Sequence, residues 1–513
     1  MNSQRECKKF DELVGRYQTK DFLMKISNPK FRLLLHLILH LNRIPTDQEW
    51  DFAKRLSKLG TGSTSDCDRW FKFIKPGNSS TSFRFISGVG IDVSKLKYAH
   101  DKSGIPLVSS AVIDLVRQKS HRALFIDFNP NFTVLGTIAE VNLNFETEAI
   151  GTFSRVKDRK IRNILLSGLY ASVREIKLSV PGLYALLLKV IPRKYIKSKL
   201  LSFNRKDEDF VIELPINLTL ISVYPILSKQ SLNHLKLFEE CNLIQIVPII
   251  HDVLPITFPQ YFPDNTFEGS YDYLKLMADQ ENVFFVSSHV RDEFQKVFPN
   301  NTVINKHLFN LPDLLAQNIC ELANQVDSVK NYENEHYILT ISTIEPRKNH
   351  LNLLLALQDI FLQDKNLRLI LLGGYGWKND FIMKIVSSSI FSSRIKVMRN
   401  ISDSEKIALI KGSLFTVYPS MYEGFGLPIL ESLLLSKRVL FHNQKPMLDF
   451  ESLPGAIAID MNNIDLLQKT LLLEIGSQEI LNNSNQIKDW LKTQKNTEFL
   501  ELLTKLSLEN NFT

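Results

Sequence analysis

The sequence predicts an α/β protein of two doubly wound, parallel-sheet domains, preceded by a helical extension and followed by a helical tail. Three observations lead there. The chain has 513 residues, beyond the size at which one hydrophobic core keeps growing, so more than one domain is expected. From Phe83 onward, short apolar runs alternate with amphipathic stretches, the pattern of a parallel sheet covered by helices. The polar stretch "NQVDSVKNYENE" (324–335) interrupts that alternation once, as an interdomain hinge would, and the alternation then restarts.

Taken in order, residues 1–82 read as helices ending in a linker-like "KPGNSSTS" (75–82). Residues 83–330 form the first α/β domain. Its strand-like runs are "RFISGVGIDVS", "RALFIDF", "IQIVPII" and "NVFFVSS", and "DYLKLMADQ" and "HVRDEFQKVF" are helix-like. Residues 331–479 form the second. Its strands are "HYILTIS", "LRLILLGG", "RIKVM", "LFTVYPS" and "RVLF", with helices from Asn349, near Phe381, before Leu414 and from Pro428. Residues 480–513 are a helical, amide-rich tail with no docking site legible in them.

A chain that is 44% hydrophobic and 23% charged is an ordinary globular protein and not a disordered one. The four cysteines, Cys7, Cys67, Cys241 and Cys320, have no CxxC or CxxH spacing. That argues against structural zinc and a disulfide framework and fits a reducing compartment. The first residues carry no apolar signal core, and the run Leu33–Leu41 is about half a bilayer span. A cytoplasmic location is expected, with peripheral attachment at the inner face of the cell membrane. The net charge is +7, yet Arg155–Lys199 alone holds twelve Lys/Arg against two acids. These cations interleave with "LLSGLYASV" and "LYALLLKVI", which suits a membrane surface or an anionic ligand better than a merely solvated face. No nucleic-acid motif accompanies them, so nucleic acid is not an expected partner.

Ligands of open α/β sheets sit beyond the carboxyl ends of the strands, so strand-to-helix junctions carry the functional signal. In "TISTIEPRKNHLNLLLAL" (340–357), Arg347 and Lys348 open a helix. Two cations there oppose the macrodipole unless an anion lies between them and the helix end, and a diphosphate fits. A solvent-exposed turn is the competing reading. In "SMYEGFGLPILES" (420–432), Glu423 lies in the loop, Gly424 and Gly426 permit close backbone approach, Pro428 suits a first helical turn, and Glu431 follows one turn in. Two hydroxyl-reading carboxylates flanking a phosphate-friendly helix start describe a sugar-nucleotide site.

With these residues in view, the chain from about residue 84 onward resembles the retaining glycosyltransferases of family 4, which have the GT-B fold of two Rossmann-like domains facing a cleft. The resemblance rests on Glu345-Pro346-Arg347-Lys348-Asn349 and on Glu423-Gly424-Phe425-Gly426-Leu427-Pro428-x-x-Glu431. Supporting stretches are "LLGGYGWKND" and "NISDSEKIALIKGSLFTVYPS" in the second domain, and "VPIIHDVLPITFPQYF" and "VFFVSSHVRDEF" in the first. The first-domain stretches are similar to the subgroup that builds bacterial surface polysaccharides.

The resemblance implies roles. Lys348 and Arg347 bind the diphosphate and stabilise its growing charge. Glu423 holds donor-sugar hydroxyls, helped by the N–H groups of Phe425, Gly426 and Leu427, and Glu431 holds the ribose. Gly373, Gly374, Asn400 and Ile401, in the turn that runs to Ser402, border the nucleobase. His251 faces the sugar across the cleft, with a purely structural histidine as the alternative. Its neighbour Asp252 reads as structural. Gly104 in "HDKSGIP" lets a loop approach the phosphates, with a plain turn as the alternative. The implied reaction retains anomeric configuration, with the leaving phosphate taking the acceptor's proton, and needs neither metal nor cofactor.

Donor and acceptor follow as expectations: a nucleotide sugar, GDP-mannose favoured, and a growing glycan carried on a polyprenyl lipid. Two other readings remain open, a GT-B phosphorylase or sucrose/trehalose-type synthase on soluble sugars, and an inactive GT-B scaffold. The chain also departs from the family. After Glu431, "LLLSKRVL" lacks the usual Gly and Pro-Val, and Pro106 stands where the subgroup often has Arg.

Overall fold

In the computed structural model the described residues fall within 29–59, 81–137, 210–310 and 316–509; short stretches inside these spans, 94–104 among them, are not described. Gly104 and the basic segment 155–199 therefore lie outside the described residues.

The chain begins with helices α1 (Pro29–Leu41) and α2 (Asp47–Leu59). Leu34 and Ile38 of α1 are buried in the same core as the first sheet. Strand β1 (Thr81–Asp92) is followed by α3 (Ile105–Lys119), β2 (Leu124–Asp127), β3 (Thr133–Thr137) and β4 (Phe210–Ser222). Helix α4 (Lys229–Glu240), β5 (Ile244–Ile250), α5 (Thr266–Ala278), β6 (Asn282–Phe285), α6 (Ser288–Val297) and β7 (Asn305–Leu308) complete the first domain. Trp50 Nε1–H of α2 donates to Glu240 Oε2 at 2.9 Å, and Lys54 Nζ pairs with the same carboxylate at 3.0 Å. The extension is thus stapled to α4 and shares the core of the first domain.

The sheet order is β3-β2-β1-β4-β5-β6-β7, parallel except for the antiparallel β2–β3 edge. Strands β3, β4 and β7 lie outside the runs read as strands from the sequence. The central strand β4 carries Pro215, a residue that argues against a central strand because it cannot donate to the ladder. The register shifts between Ile86 and Gly88 of β1, and Asn217 opposite takes φ 48°. That bulge absorbs the missing donor.

The second domain holds β8 (Tyr337–Ile341), α7 (His350–Gln363), β9 (Arg368–Leu372), α8 (Asp380–Ser388), β10 (Ile395–Met398), α9 (Asp403–Gly412) and β11 (Thr416–Tyr418). It continues with α10 (Leu427–Leu434), β12 (Val439–His442), β13 (Ala456–Ile459) and α11 (Ile464–Ile475). Its order, β10-β9-β8-β11-β12-β13, is parallel throughout. Both sheets are doubly wound, and the strand order reverses between β1 and β4 and between β8 and β11. Those switch points are where such sheets open a crevice for a ligand.

The tail does what its own sequence left open. Helix α12 (Ser484–Thr493) buries Ile487 and Leu491 against Ile429 and Leu433 of α10. Helix α13 (Thr497–Glu509) returns to the first domain, where Phe499 meets Phe284 and Phe309 edge-on at 5.1 Å. Among the described residues no helix is long and apolar enough to cross a membrane.

Candidate active site

The site is built from two loops at the β8/β11 switch point. After β8 the chain makes a 3-10 turn, Pro346–Lys348, and Asn349 then adopts φ 52° before α7 begins. Asn tolerates this left-handed conformation better than most residues, which suits it to the position. The turn directs Arg347 and Lys348 into the protein, so the solvent-exposed reading fails. Lys348 is 7% exposed, and the Arg347 side chain 12%.

Their partner comes from the loop after β11. Glu423 Oε1 accepts from Lys348 Nζ and Ser420 Oγ, and Arg347 Nη1 lies 3.0 Å away. Glu345, buried to 1%, takes Arg347 Nη2 at 2.7 Å, and Tyr418 Oη lies 3.1 Å from Lys348 Nζ. Burial alone raises the Glu423 carboxyl, but Arg347 and Lys348 outweigh it and hold it at about 2. Burial, with Arg347 beside it, lowers Lys348. Glu345 is raised by its burial against the pull of both cations. Two cations and two carboxylates are thereby packed into one dry cluster, where electrostatic interactions are strong.

Donor groups in the cluster are left over. Arg347 Nε and Asn349 Nδ2 are buried with no partner among the described residues. No described residue accepts from the N–H groups of Phe425, Gly426 or Leu427, at the start of α10. Gly426 caps that helix with φ 103°, open to glycine and strained for other residues. Phe425 itself packs edge-on against Phe450 at 5.4 Å.

Gly424 has another explanation than ligand approach. A Cβ there would come within 1.9 Å of the His251 carbonyl oxygen, and the Gly424 carbonyl accepts from Ser287 Oγ at 2.8 Å. The glycine is required by contact between the domains. His251 follows β5 and turns its Nε2 to the Val223 carbonyl, 2.7 Å away, at the end of β4. Burial lowers its pKa to about 4, so it stays neutral. With Nε2 engaged inside its own domain, Nδ1 is the ring atom left for other contacts. Asp252 Oδ1 accepts from Leu254 N at 3.1 Å, the local turn its structural reading predicts.

The domains also meet through aromatic rings. Phe258 stacks on Tyr422 at 3.7 Å, and Phe262 lies 5.3 Å from Trp377. Trp377 Nε1–H donates to the Tyr261 carbonyl, and Lys378 Nζ to that of Gln260 at 3.2 Å. Tyr422, whose carbonyl accepts from Arg347 Nη1, joins this aromatic contact to the charged cluster.

Away from the cluster, Glu431 is buried to 5% and pairs through Oε1 with Lys406 Nζ at 2.9 Å. Gly373 is required by the sheet: a Cβ would come within 2.0 Å of the Ser342 carbonyl oxygen. Around Gly374 there is open space. Asn400 is exposed with φ 53°, and Ile401 is half-buried against the core. The structure therefore places Arg347, Lys348 and Glu423 in direct contact, with His251 opposite through the Gly424 contact. Glu431 belongs to a separate pair. The roles of Glu345, Ser420, Tyr418, Tyr422, Ser287 and Lys406 were not read from sequence, because a polar side chain within or beside a motif carries no signal of the direction in which it points.

The missing family glycine is accounted for as well. Ser436 adopts φ 57°, donating to the Leu433 carbonyl, while Lys437 N donates to that of Ser432. This is the helix-ending geometry glycine usually supplies, here taken by serine.

A buried Lys-Arg-Glu cluster thus lies at the switch point of one Rossmann-like domain of a GT-B fold, with the second domain packed against it. Residues 323–479 match the family described as glycosyl transferases group 1, so the second domain is a glycosyl transferases group 1 domain. The chain is 28% identical over 237 residues to the O-antigen chain mannosyltransferase B of Escherichia coli, covering 45% of this chain and 61% of that protein. It is 24% identical over 196 residues to the serotype-specific mannosyltransferase WbdA of Escherichia coli (36% and 24% covered). It is also 24% identical over 190 residues to the O-antigen chain mannosyltransferase RfbU of Salmonella typhimurium (36% and 48%). It thus spans less than two thirds of each of these curated relatives. Among solved structures, Anabaena Alr3699/HepE in complex with UDP and glucose aligns with TM-score 0.46 at 13% identity, over 83% of this chain and all of that one.

Proposed function

We propose that this protein moves a hexose, with mannose favoured, from a nucleotide-diphosphate sugar to a growing glycan with retention of anomeric configuration. The observation that carries the reading is the cluster of Arg347, Lys348 and Glu423 at the β8/β11 switch point, with unpartnered donors at Arg347 Nε, Asn349 Nδ2 and the α10 N-terminus around it. Those donors and cations suit a diphosphate, and the carboxylate beside them suits sugar hydroxyls.

In this reading Arg347 and Lys348 turn from Glu423 toward the diphosphate as the donor enters. Glu423, released from part of its pairing, accepts hydroxyl hydrogen bonds and orients the anomeric carbon. The bond from that carbon to the phosphate oxygen breaks, the acceptor oxygen bonds on the same face, and its proton passes to the leaving phosphate. His251, neutral and fixed by Val223, helps shape the sugar pocket. Neutralisation comes from Lys348, Arg347 and the helix end, so no metal step is included. The named mannosyltransferases among the relatives support mannose, with GDP-mannose as donor. A polyprenyl-linked acceptor would place the enzyme at the inner face of the membrane, with 155–199 as the attaching segment.

The test combines thermal shift against GDP, UDP and dTDP with transfer assays from the matching donors, in buffer and in EDTA. A binding nucleotide stabilises by about 2.7 kcal/mol at a hundredfold excess over Kd. Stabilisation by one of them, with transfer surviving EDTA, is expected. Absence of stabilisation by all three would remove the nucleotide-sugar reading.

A further inference from the structure

We infer that Lys406 is a positioning residue of the donor site, holding Glu431 so that one carboxylate oxygen is presented to a ribose diol. The inference rests on the nucleotide-sugar reading above and on the ribose role that the family resemblance implies for Glu431. Lys406 was assigned nothing in the sequence, where it sits in the short helix-like run after Ser402. The structure places it at the end of the first turn of α9, whose start is set by Ser402 Oγ accepting from Glu405 N at 3.1 Å. From there its Nζ reaches Glu431 Oε1, 25 residues further on, at 2.9 Å.

The two oxygens of Glu431 are unlike. Oε1 is tied to Lys406, and Oε2 has no partner among the described residues although the side chain is only 6% exposed. An ionised carboxylate can accept four hydrogen bonds, and Oε2, which is not among the buried atoms lacking a partner, is the oxygen open to a ligand's hydroxyls. A vicinal diol supplies hydroxyl donors of the kind the unpaired Oε2 can accept. The cation meanwhile stops the carboxylate from rotating, so the hydroxyl-reading oxygen is presented in one orientation. Lys406 is on α9, which follows the Asn400–Ser402 turn, and Glu431 is on α10, whose N-terminus borders the Glu423 loop. The pair therefore ties the wall assigned to the base to the helix assigned to the phosphates.

The experiment uses the whole chain and measures Kd for GDP, or whichever of the three nucleotides stabilises it, beside its 2′-deoxy form. For wild type, loss of the 2′-hydroxyl should weaken binding about tenfold, the effect of one charge-assisted hydrogen bond. Lys406→Met should weaken the ribonucleotide by about the same factor and shrink the ribo/deoxy ratio towards one. Lys406→Arg should restore the ratio, and kcat at saturating donor should change less than KM. A Lys406→Met protein that keeps the full ratio overturns the inference. The companion Glu431→Gln variant separates the two levels. If it too keeps the ratio, the ribose reading of Glu431 is wrong. If it loses the ratio while Lys406→Met keeps it, only the role of Lys406 is lost.

Discussion

Glu423 and Glu431 lie eight residues apart around one helix start, and the protein treats them in opposite ways. Glu423 is in a loop at the domain contact, gripped through one oxygen by Lys348, Arg347 and Ser420. Glu431 is on the helix itself, more deeply buried, and held by a single lysine. The loop carboxylate belongs to a charged network that either domain's movement would disturb. The helix carboxylate belongs to a rigid element and a single pair. A residue type at a motif position thus specifies which chemistry is available, and the surrounding charges decide how much energy is stored in it.

The sharpest way to break the contrast is Glu423→Ala. It leaves Arg347 and Lys348 buried beside each other with Glu345 and the more weakly coupled Asp252 against them. A loss of about 3–5 kcal/mol in urea unfolding is expected, together with a fall in kcat. An unchanged unfolding midpoint would show that the two cations relax into solvent, and the cluster would lose its structural weight.

Lys348→Ala comes next. Turnover should drop about a hundredfold or more, since a charge-assisted contact to a developing anion contributes roughly 2–4 kcal/mol. The position reads from sequence as a helix start at a cleft, outside any core, at which the fold tolerates replacement. Its burial against Glu423 now adds a stability cost, smaller than that of Glu423→Ala because Arg347 still neutralises the carboxylate. Near-normal turnover in the folded variant would take Lys348 out of the mechanism.

Acid should reveal which groups respond first. Glu423, held at about 2, has its pKa depressed, so its contribution is complete above its ordinary 4.5 and lost as the pH falls towards 2. His234 and His350 are buried and lowered from 6.5 to about 4. Each is neutral in the fold and takes up a proton on unfolding, so each contributes stability that is present above pH 6.5 and lost as the pH falls towards 4. The expected slope is on the order of 1 kcal/mol per pH unit for each histidine across that window. A Tm that stays flat from pH 6.5 to 4.5 would contradict it, and His350→Asn should reduce the slope without touching the carboxylate cluster.

The smallest expected effect concerns the far end of the helix that carries Glu431. Ser436→Gly should stabilise the protein by about 0.5–1 kcal/mol, because a non-glycine residue in the left-handed conformation is strained. Destabilisation would mean that the serine side chain contributes more than the strain costs.

Much of the fold was legible because it is written locally. "HYILTIS", "LRLILLGG" and "LFTVYPS" are apolar runs bounded by turn residues, and each became a strand of the second sheet. Strand β4 was not legible. Its proline contradicts the strand pattern, and the bulge that excuses it exists only in its pairing with β1. The edge strands β3 and β7 are short, and β7 is only half-buried along its length, so they lack the pattern a buried strand shows. Strand β13, "AIAI", is also short and was missed for the same reason.

By itself the sequence determined which side chains stand at the strand ends: Arg347 and Lys348 after one apolar run, Glu423, two glycines and Glu431 after another. A strand, the loop behind it and the helix start that follows are contiguous in the chain, so their chemistry can be read from a dozen letters. Only the tertiary structure decided what those side chains do to one another. Lys348 meets a carboxylate 75 residues away because the sheet order sets β8 beside β11. Gly424 must be glycine because a carbonyl of the other domain arrives there. Lys406 reaches Glu431 because the helices before and after β11, 25 residues apart in the chain at these positions, are brought within side-chain reach of each other. Partners of this kind depend on which loops the strand order brings together, and strand order is a property of the whole chain.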